Sequence, residues 1–165
     1  MNISLPRIRA VSAEAPSALR VTWSDGTTDR IELAGWIATG DALLDPLRQT
    51  DVFTGAQVGV YGAAVVWDEE GDLAIDAVHL RLLAEEQRPF TADSIASWQS
   101  KLGLSNAEAA DLLHISAHQW HAYKAGSTPV PAPIGMLCRA IRRDPLLMHA
   151  HYRPQKSGRP QAAGE

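Results

Sequence analysis

The sequence contains one cysteine, Cys138, among its 165 residues. One cysteine cannot form a disulfide within the chain, and it cannot supply the several thiolates of a cysteine-rich zinc site. Residues 1–15 hold no apolar core of signal-peptide length. No run approaches the roughly 18 apolar residues that a membrane-spanning helix needs. We therefore expect a cytoplasmic protein with no membrane partner.

Motifs of catalysis and metal binding are also missing. The sequence has no glycine-rich phosphate loop, no G-x-S-x-G elbow and no H-E-x-x-H pair. The acidic run at residues 68–72 lacks the ligand spacing of a calcium loop and is better explained as a solvated turn. His118 and His121 are spaced to share a helix face, but nothing nearby supplies further metal ligands. We predict that the chain is not an enzyme and binds no cofactor or metal.

Charge is unevenly divided along the chain. Residues 1–87 carry 6 Lys and Arg against 14 Asp and Glu, a net charge of −8, whereas residues 88–165 carry 9 against 5, a net charge of +4. Such an asymmetry is a hint that the basic half binds a polyanion. Two solvated surfaces of opposite sign explain the same numbers, so charge alone leaves both explanations open.

The first half of the chain is typical of a sheet. In residues 19–33, LRVTWSDGTTDRIEL, apolar and polar residues alternate between Leu19 and Trp23, which is the period of a half-buried strand. The Asp-Gly pair ending at Gly26 supplies the positive φ angles of a tight hairpin turn. The segment AQVGVYGAAVVWD predicts a second hairpin, because two short apolar runs flank Gly62.

One helix is predicted after the second hairpin. In GDLAIDAVHLRLLAEE, the residues Ile75, Val78, Leu82 and Leu83 recur near helical spacing. Asp76 lies near the start, where an anion suits the helix dipole. Residues 1–88 are therefore predicted to form an α+β domain with a small antiparallel sheet and one closing helix.

Pro89 marks the predicted domain boundary, since proline is excluded from a preceding helix and pushes Arg88 towards extended geometry. Helix signals then replace strand signals. We predict an all-α domain of about five helices over residues 89–152, followed by a flexible tail at residues 153–165. The tail is polar, and it has too few basic residues to predict a strong DNA-binding arm.

Residues suited to capping helices mark where the helices of the second domain are predicted to begin. Thr91, Ser105, Ser116 and Asp144 each stand where a side-chain oxygen can accept a free backbone N–H at a helix start. Ser105 and Glu108 have the S-x-x-E spacing of a capping box. Apolar residues follow at helical spacing, and we expect them to be buried. They include Ile95, Trp98, Leu102, Leu112, Leu113, Trp120, Tyr123, Ile134, Leu137, Cys138 and Ile141.

The order of these helices resembles the lambda-repressor-like helix-turn-helix family of the xenobiotic-response-element type. The resemblance extends from about Thr91 to Asp144. It rests on Leu104, Ser105, Asn106, Glu108, Ala110, Leu112, Leu113, His114, Ile115, Ser116, Tyr123 and Gly126. It implies double-stranded DNA as a partner, with the third helix in the major groove.

The chain departs from that family at several positions. Asn106 stands where the family has a glutamine that touches backbone phosphate, and it keeps the amide chemistry on a shorter side chain. His114 replaces a glycine in the turn, and histidine tolerates a positive φ better than most residues. Trp120 replaces a smaller aliphatic residue at a buried position. Ala117 lacks the polar side chain that often reaches a base edge.

The resemblance implies a DNA-reading face on the third helix. The residues implied in DNA binding are Asn106, Ser116, Ala117, His118, Gln119, His121, Ala122 and Lys124. Glutamine can bridge adenine N6 and N7, neutral histidine can form one bond to a base edge, and alanine can meet a thymine methyl. No arginine lies in residues 117–124, although arginine is the commonest reader of guanine. A monomer would have a modest footprint, so we expect a homodimer.

The first half resembles a different family, the bacterial domain-of-unknown-function 2442 family. Three segments carry this resemblance: LRVTWSDGTTDRIEL, DPLRQTDVFTGAQV and VVWDEEGDLAIDAVHLR. Together they span most of residues 7–86. The resemblance implies a small α+β fold and no activity.

Two functions fit the sequence. The first is a DNA-binding transcriptional regulator, in which the acidic first domain senses a signal, dimerises or binds a protein partner. The second is a protein-interaction module, such as the antitoxin of a toxin–antitoxin pair, with weak or no DNA binding. Fold alone does not decide between them.

Overall fold

The computed structural model describes residues 5–155, and the chain divides into two compact units, residues 1–88 and 89–165. Of the tail predicted at residues 153–165, everything after residue 155 lies outside the described part of the chain. Within residues 5–155, no helix combines the length and the apolar character that crossing a membrane requires.

The first unit begins with a three-stranded antiparallel sheet in the order β1-β2-β3. Its strands are Ile8–Glu14, Ala18–Trp23 and Thr28–Glu32. In β2, Leu19, Val21 and Trp23 are buried while Arg20 is exposed, so the alternation in the sequence places one face of β2 in the core. The turn before β3 contains Gly26, whose φ of 87° suits a residue without Cβ.

Short helical segments follow β3. They are α1 (Ala34–Thr39), a 3-10 helix (Ala42–Arg48) and α2 (Thr50–Phe53). Asp41 starts the 3-10 helix, because its carboxylate accepts a hydrogen bond from the backbone N–H of Leu43 at 3.0 Å. Each segment turns one or two apolar side chains into the core. These are Ile37, Leu44, Leu47 and Phe53.

A second antiparallel sheet and α3 complete the first unit. The strands run in the order β4-β5-β6, and the elements are β4 (Gln57–Val58), β5 (Ala64–Val66), β6 (Ala74–Asp76) and α3 (Ala77–Gln87). A 3-10 turn, Val60–Gly62, connects β4 to β5. Gly62 has a φ of 66°, and a Cβ on it would overlap the carbonyl oxygen of Ile8. Only glycine fits at this approach of the turn to β1.

The predicted fold class is therefore wrong. We predicted one small antiparallel sheet with one helix, followed by an all-α domain of about five helices. Over the described residues 5–155, the structure instead has two small antiparallel sheets of three strands each, with short helices interspersed along the first unit. Helices of four to seven residues, such as α1 and α2, complete too few turns to leave a helical period in the sequence.

The inner face of α3 also differs from the prediction. Ile75 lies in β6, before the helix, while Val78 and Leu82 are 42% and 59% exposed. Asp76 does cap the helix, since it accepts a hydrogen bond from the backbone N–H of His79 at 2.9 Å. The buried residues of α3 are Ala77, Leu80 and Ala84. Because β6 is followed directly by α3, the apolar residues of the two elements together have the spacing of a single helix in the sequence.

The described part of the second unit, residues 89–155, contains five helices and no strand. They are α4 (Ala92–Leu102), α5 (Asn106–Leu112), α6 (Ala117–Ala125), α7 (Ala132–Arg143) and α8 (Pro145–His151). The predicted caps are confirmed, because Thr91, Ser105, Ser116 and Asp144 each accept a backbone hydrogen bond at the start of a helix.

Two tryptophans occupy the core of the second unit. Trp98 and Trp120 are 1% and 0% exposed, and their ring centroids lie 6.3 Å apart. The indole N–H of Trp98 donates to the backbone carbonyl of Cys138 at 3.0 Å, which satisfies a buried donor and joins α4 to α7. Burial raises the pKa of the Cys138 thiol to about 12.

Candidate nucleic-acid interface

The turn between α5 and α6 is short and hydrogen-bonded. The backbone N–H of His114 donates to the carbonyl of Asp111, and that of Ile115 donates to the carbonyl of Ala110, both at 3.0 Å. His114 has a φ of 54°, in the left-handed region. A residue with a Cβ adopts this conformation at a cost of about 1–2 kcal/mol. The turn therefore forms with histidine where the resemblance implies glycine.

One side-chain oxygen connects α4, α5 and α6. Oδ1 of Asn106, the first residue of α5, accepts hydrogen bonds from Gln99 Nε2 at 3.0 Å, Trp120 Nε1 at 2.9 Å and Lys124 Nζ at 3.1 Å. We call these four residues the Asn106 hub. The lysine bond is charge-assisted, and the indole bond satisfies a donor of the core. The hub therefore fixes α6 against α4 and α5.

The hub also fixes the direction of the Asn106 amide. Because three donors face one atom, that atom has to be the carbonyl oxygen and not the amide nitrogen. The Nδ2 group then lies on the opposite side of the amide, and the residue is exposed. An amide whose oxygen is engaged in this way keeps its two N–H groups as hydrogen-bond donors.

Gln119 has a role that the sequence analysis missed. Its Oε1 accepts hydrogen bonds from the backbone N–H of Ser116 at 3.0 Å and from the Ser116 hydroxyl at 3.2 Å. The Ser116 hydroxyl oxygen accepts in turn from the backbone N–H of Gln119 at 3.1 Å. The pair is a capping box for α6, and its S-x-x-Q spacing was visible in the sequence. The Gln119 oxygen is therefore engaged inside the protein.

The candidate residues of α6 share one surface. Trp120 and Tyr123 are 0% and 6% exposed and face the core. The opposite face consists of residues that are exposed, with Ala122 half-buried, namely Ala117, His118, His121 and Ala122. We call these four residues the outer face of α6. Ser116, Gln119 and Lys124 are also exposed. Within residues 5–155, no three His, Cys, Asp or Glu side chains converge as metal ligands would.

The one acidic residue in the first turn of α5, Glu108, lies inside the unit. Glu108 is 1% exposed, and its carboxylate accepts hydrogen bonds from the backbone N–H groups of Ser105 and Gln155 and from the Tyr152 hydroxyl. These bonds, the one from Ser105 foremost, hold the pKa of Glu108 at about 2. Lys124 and Lys101, in contrast, are exposed. Lys124 therefore presents its positive charge at the surface of the hub, while the Glu108 carboxylate lies inside the unit.

Comparisons with known proteins find a similarity to a solved structure. No protein-family model and no curated protein matches the chain. A crystal structure from Nitrosomonas europaea ATCC 19718, described as a "putative DNA binding protein", is similar over 98% of each chain, with 23% sequence identity and a TM-score of 0.48. The two family resemblances of the sequence therefore stay predictions.

Proposed function

We propose that this chain binds double-stranded DNA through its second unit and acts as a transcriptional regulator. In this proposal α5 and α6 form a helix-turn-helix, with α6 in the major groove. The observation that carries the proposal is the Asn106 hub, which braces α6 through its buried side while the outer face of α6 stays exposed. A rigid helix with a free face of polar and small residues suits reading in the groove.

Charge supports the same proposal. Contacts with phosphates supply most sequence-independent affinity for DNA, and they need cations at the edge of the reading helix. Lys124 lies in the last turn of α6, and residues 88–165 carry a net charge of +4. The Nδ2 donors of Asn106 add a neutral contact of the kind that sets a protein's register on the duplex.

The capping box limits the base contacts that Gln119 can make. A bidentate bond to adenine needs both the oxygen and the nitrogen of a glutamine side chain. The Gln119 oxygen caps the helix, so Gln119 offers only its Nε2 donor while the cap is intact. Base discrimination then rests on His118 and His121, with Ala117 and Ala122 placed to meet thymine methyl groups. Because these base contacts are few, we propose that the chain binds a two-fold DNA site as a homodimer.

The test uses the full-length chain. Selection of bound sequences from random double-stranded DNA, followed by fluorescence anisotropy across a salt series, gives the site and the affinity. We expect salt-dependent binding, and we expect His118→Ala with His121→Ala to relax the selected sequence. His149→Ala is the matched control, because it removes an exposed histidine from α8. Absence of salt-dependent binding at micromolar protein would contradict the proposal.

A second function is favoured by a feature of the first unit. Val60 and Tyr61 are 76% and 90% exposed, and Tyr61 has a φ of 55°. Exposed apolar residues held in an unfavourable backbone conformation are typical of binding surfaces. The net charge of −8 over residues 1–87 favours a basic protein partner, as an antitoxin would have.

The protein-interaction proposal has its own test. The full-length chain is co-expressed with each protein encoded beside it, and the mixtures are analysed by size-exclusion chromatography. We expect a complex that Tyr61→Ser weakens at least tenfold, since a central exposed aromatic is a common hot spot. Val78→Ser, on the exposed face of α3, is the matched control. Separate elution of the two proteins would contradict this proposal.

A further inference from the structure

A small apolar pocket lies in the second unit, next to the turn that joins α5 to α6. Its volume is about 110 Å³, and α5, the turn, α7 and α8 all contribute side chains to it. The lining residues are Leu112, His114, Leu137, Ile141, Leu147 and His151. We call these six residues the histidine-rimmed pocket. It shares no residue with the Asn106 hub or with the outer face of α6.

The lining divides into an apolar floor and a polar rim. The leucine and isoleucine side chains are buried or half-buried, whereas His114 and His151 are exposed. The two imidazole rings meet edge to face, with centroids 6.3 Å apart and an angle of 81° between their planes. A pocket built in this way offers a ligand an apolar interior and places polar ring nitrogens where the ligand meets water.

The ring nitrogens of the two histidines take no part in holding the fold. Among residues 5–155, neither imidazole donates or accepts a hydrogen bond and neither belongs to an ion pair, while the two rings contact each other. A neutral imidazole carries one N–H donor, and a protonated one carries two. Both side chains can therefore donate to a molecule from outside the chain.

The backbone at His114 is strained. Its φ of 54° is in the left-handed region, which glycine adopts without cost. Residues held in such conformations cluster at ligand-binding sites, where the surrounding structure imposes the strain. Here the strained residue is a histidine whose side chain lines the pocket. The turn thus supplies a ring that glycine at the same position would not.

Size and chemistry define the class of ligand. An apolar cavity of about 150 Å³ holds a benzene ring, so this slightly smaller pocket suits a ring or a branched chain of roughly four to six carbons. Two imidazoles 6.3 Å apart can both donate to one carboxylate, because each of its two oxygens accepts hydrogen bonds. The net charge of +4 over residues 88–165 also favours an anion over a cation.

We propose that the histidine-rimmed pocket binds a small carboxylic acid. The apolar body of the ligand packs against Leu112, Ile141 and the two half-buried leucines, and its carboxylate accepts hydrogen bonds from His114 and His151. Apolar burial supplies affinity, and the imidazole pair supplies the preference for an anion. The site goes beyond the proposed DNA binding and does not depend on it, because no lining residue belongs to the proposed reading face.

Benzoate is the first probe, because it joins a six-carbon ring to a carboxylate. The full-length chain is titrated with benzoate, with neutral benzamide and with acetate, and its backbone amide signals are followed by NMR. Benzoate should shift the signals of the pocket residues with saturation, at a Kd of about 1 mM or below. Benzamide and acetate should bind at least fivefold more weakly. Equal affinities for benzoate and benzamide would overturn the carboxylate's role, and the lack of a saturable shift at these residues would overturn the site.

Variants of the two histidines separate ligand recognition from folding. His151→Ala removes one imidazole, and His114→Gly removes the other while keeping a residue that adopts a positive φ without strain. Each should weaken benzoate binding at least fivefold and bring the affinities for benzoate and benzamide close together. His149→Ala is the matched control, because His149 is an exposed histidine of α8 that does not line the pocket. An unchanged preference for benzoate in both rim variants, or an equal loss in the control, would overturn the assignment.

A second copy of the chain is the alternative occupant of the pocket. Benzoate would then compete with self-association, so its apparent Kd would rise with protein concentration and sedimentation velocity would show dimers dissociating as benzoate is added. The proposed site instead predicts a Kd that is independent of protein concentration. Dissociation of dimers by benzoate would assign the pocket to a contact between copies and overturn the inference.

Discussion

Trp120 Nε1 donates a hydrogen bond to Asn106 Oδ1 across 2.9 Å and thereby connects the core of the second unit to its surface. Trp120 is fully buried, whereas Asn106 is exposed. The bond sets the position of α6 and, through the same amide, the direction in which the Nδ2 donors point. Stability and the proposed phosphate contact therefore depend on opposite ends of one side chain, and substitutions can separate them.

Substitutions of Asn106 can separate its contribution to stability from its proposed contact with phosphate. Asn106→Ala should lower the free energy of unfolding by about 1–3 kcal/mol, because the buried Trp120 N–H loses its acceptor. Asn106→Asp keeps an oxygen acceptor and should stay within about 1 kcal/mol of the wild type. It replaces the outward donor with a carboxylate oxygen, so DNA affinity should fall at least tenfold. Urea unfolding and fluorescence anisotropy measure the two quantities. Wild-type affinity in Asn106→Asp would contradict the assigned phosphate contact.

Substitutions of Gln119 in α6 can likewise separate stability from DNA affinity. Gln119→Glu keeps the acceptor of the capping box and adds an anion in the first turn, where the helix dipole favours it, so stability should be unchanged or slightly higher. The same negative charge would lie at the N-terminus of α6, close to DNA phosphates in the proposed complex, so affinity should fall at least tenfold. Gln119→Ala is the control, because it loses the cap at a cost of about 0.5–2 kcal/mol without adding charge. Equal DNA affinity in Gln119→Glu and the wild type would place Gln119 away from the DNA.

The lowered pKa of Glu108 predicts that acid destabilises the second unit. Its pKa in the folded chain is held at about 2 by the N–H groups of Ser105 and Gln155 and by the Tyr152 hydroxyl, against an ordinary value of 4.5. A lowered pKa stabilises the folded state fully above pH 4.5, and this stabilisation is lost as the pH falls from 4.5 towards 2.

The experiment compares Glu108→Gln with Asp111→Asn, which neutralises an exposed carboxylate of the same helix. The indole N–H signals of Trp98 and Trp120, followed by NMR during urea unfolding, report the second unit. Between pH 7 and pH 3 the wild type and Asp111→Asn should lose stability, whereas Glu108→Gln should start less stable and lose less. Parallel pH profiles for all three proteins would contradict the assigned role of Glu108.

Cys138 should be chemically inert in the folded protein. Its side chain is buried and its thiol pKa is raised to about 12, while alkylation requires an exposed thiolate. Iodoacetamide at pH 8 should therefore label Cys138 far more slowly than a cysteine in a short peptide, and urea should abolish the difference. Mass spectrometry measures the labelled fraction. Labelling of the native chain at the peptide rate would show that the core around Cys138 opens readily.

Two glycines of the first unit should differ in how they tolerate alanine. Gly26 has a φ of 87° with open space around it, so Gly26→Ala should cost about 1 kcal/mol in unfolding free energy. Gly62 also has a positive φ, but an added Cβ would overlap the Ile8 carbonyl oxygen, so Gly62→Ala should cost at least about 2 kcal/mol more. Urea unfolding compares the two variants. Equal losses would contradict the close approach of the Val60–Gly62 turn to β1.

The first unit shows what sequence reasoning could not predict. The alternation around Trp23 predicted a buried strand face correctly, because a strand has a period of two and β2 is half-buried. The helix predicted from Ile75 onward had the wrong inner face, because Ile75 is paired with Val65 in a sheet whose strands have only two or three residues. Elements this short carry no period of their own, and tertiary packing decides which of their residues are buried.

The sequence by itself determined the local features of the second unit. The caps at Ser105 and Ser116 act within three residues, and the burial of Trp120 and Tyr123 follows from helical spacing. Only the tertiary structure decided how the candidate site is assembled. Asn106 meets Lys124 from 18 positions away, and Glu108 meets Gln155 from 47 positions away. Local propensity specifies no partner at such separations, because those bonds form only when packing of the apolar core has brought the helices together.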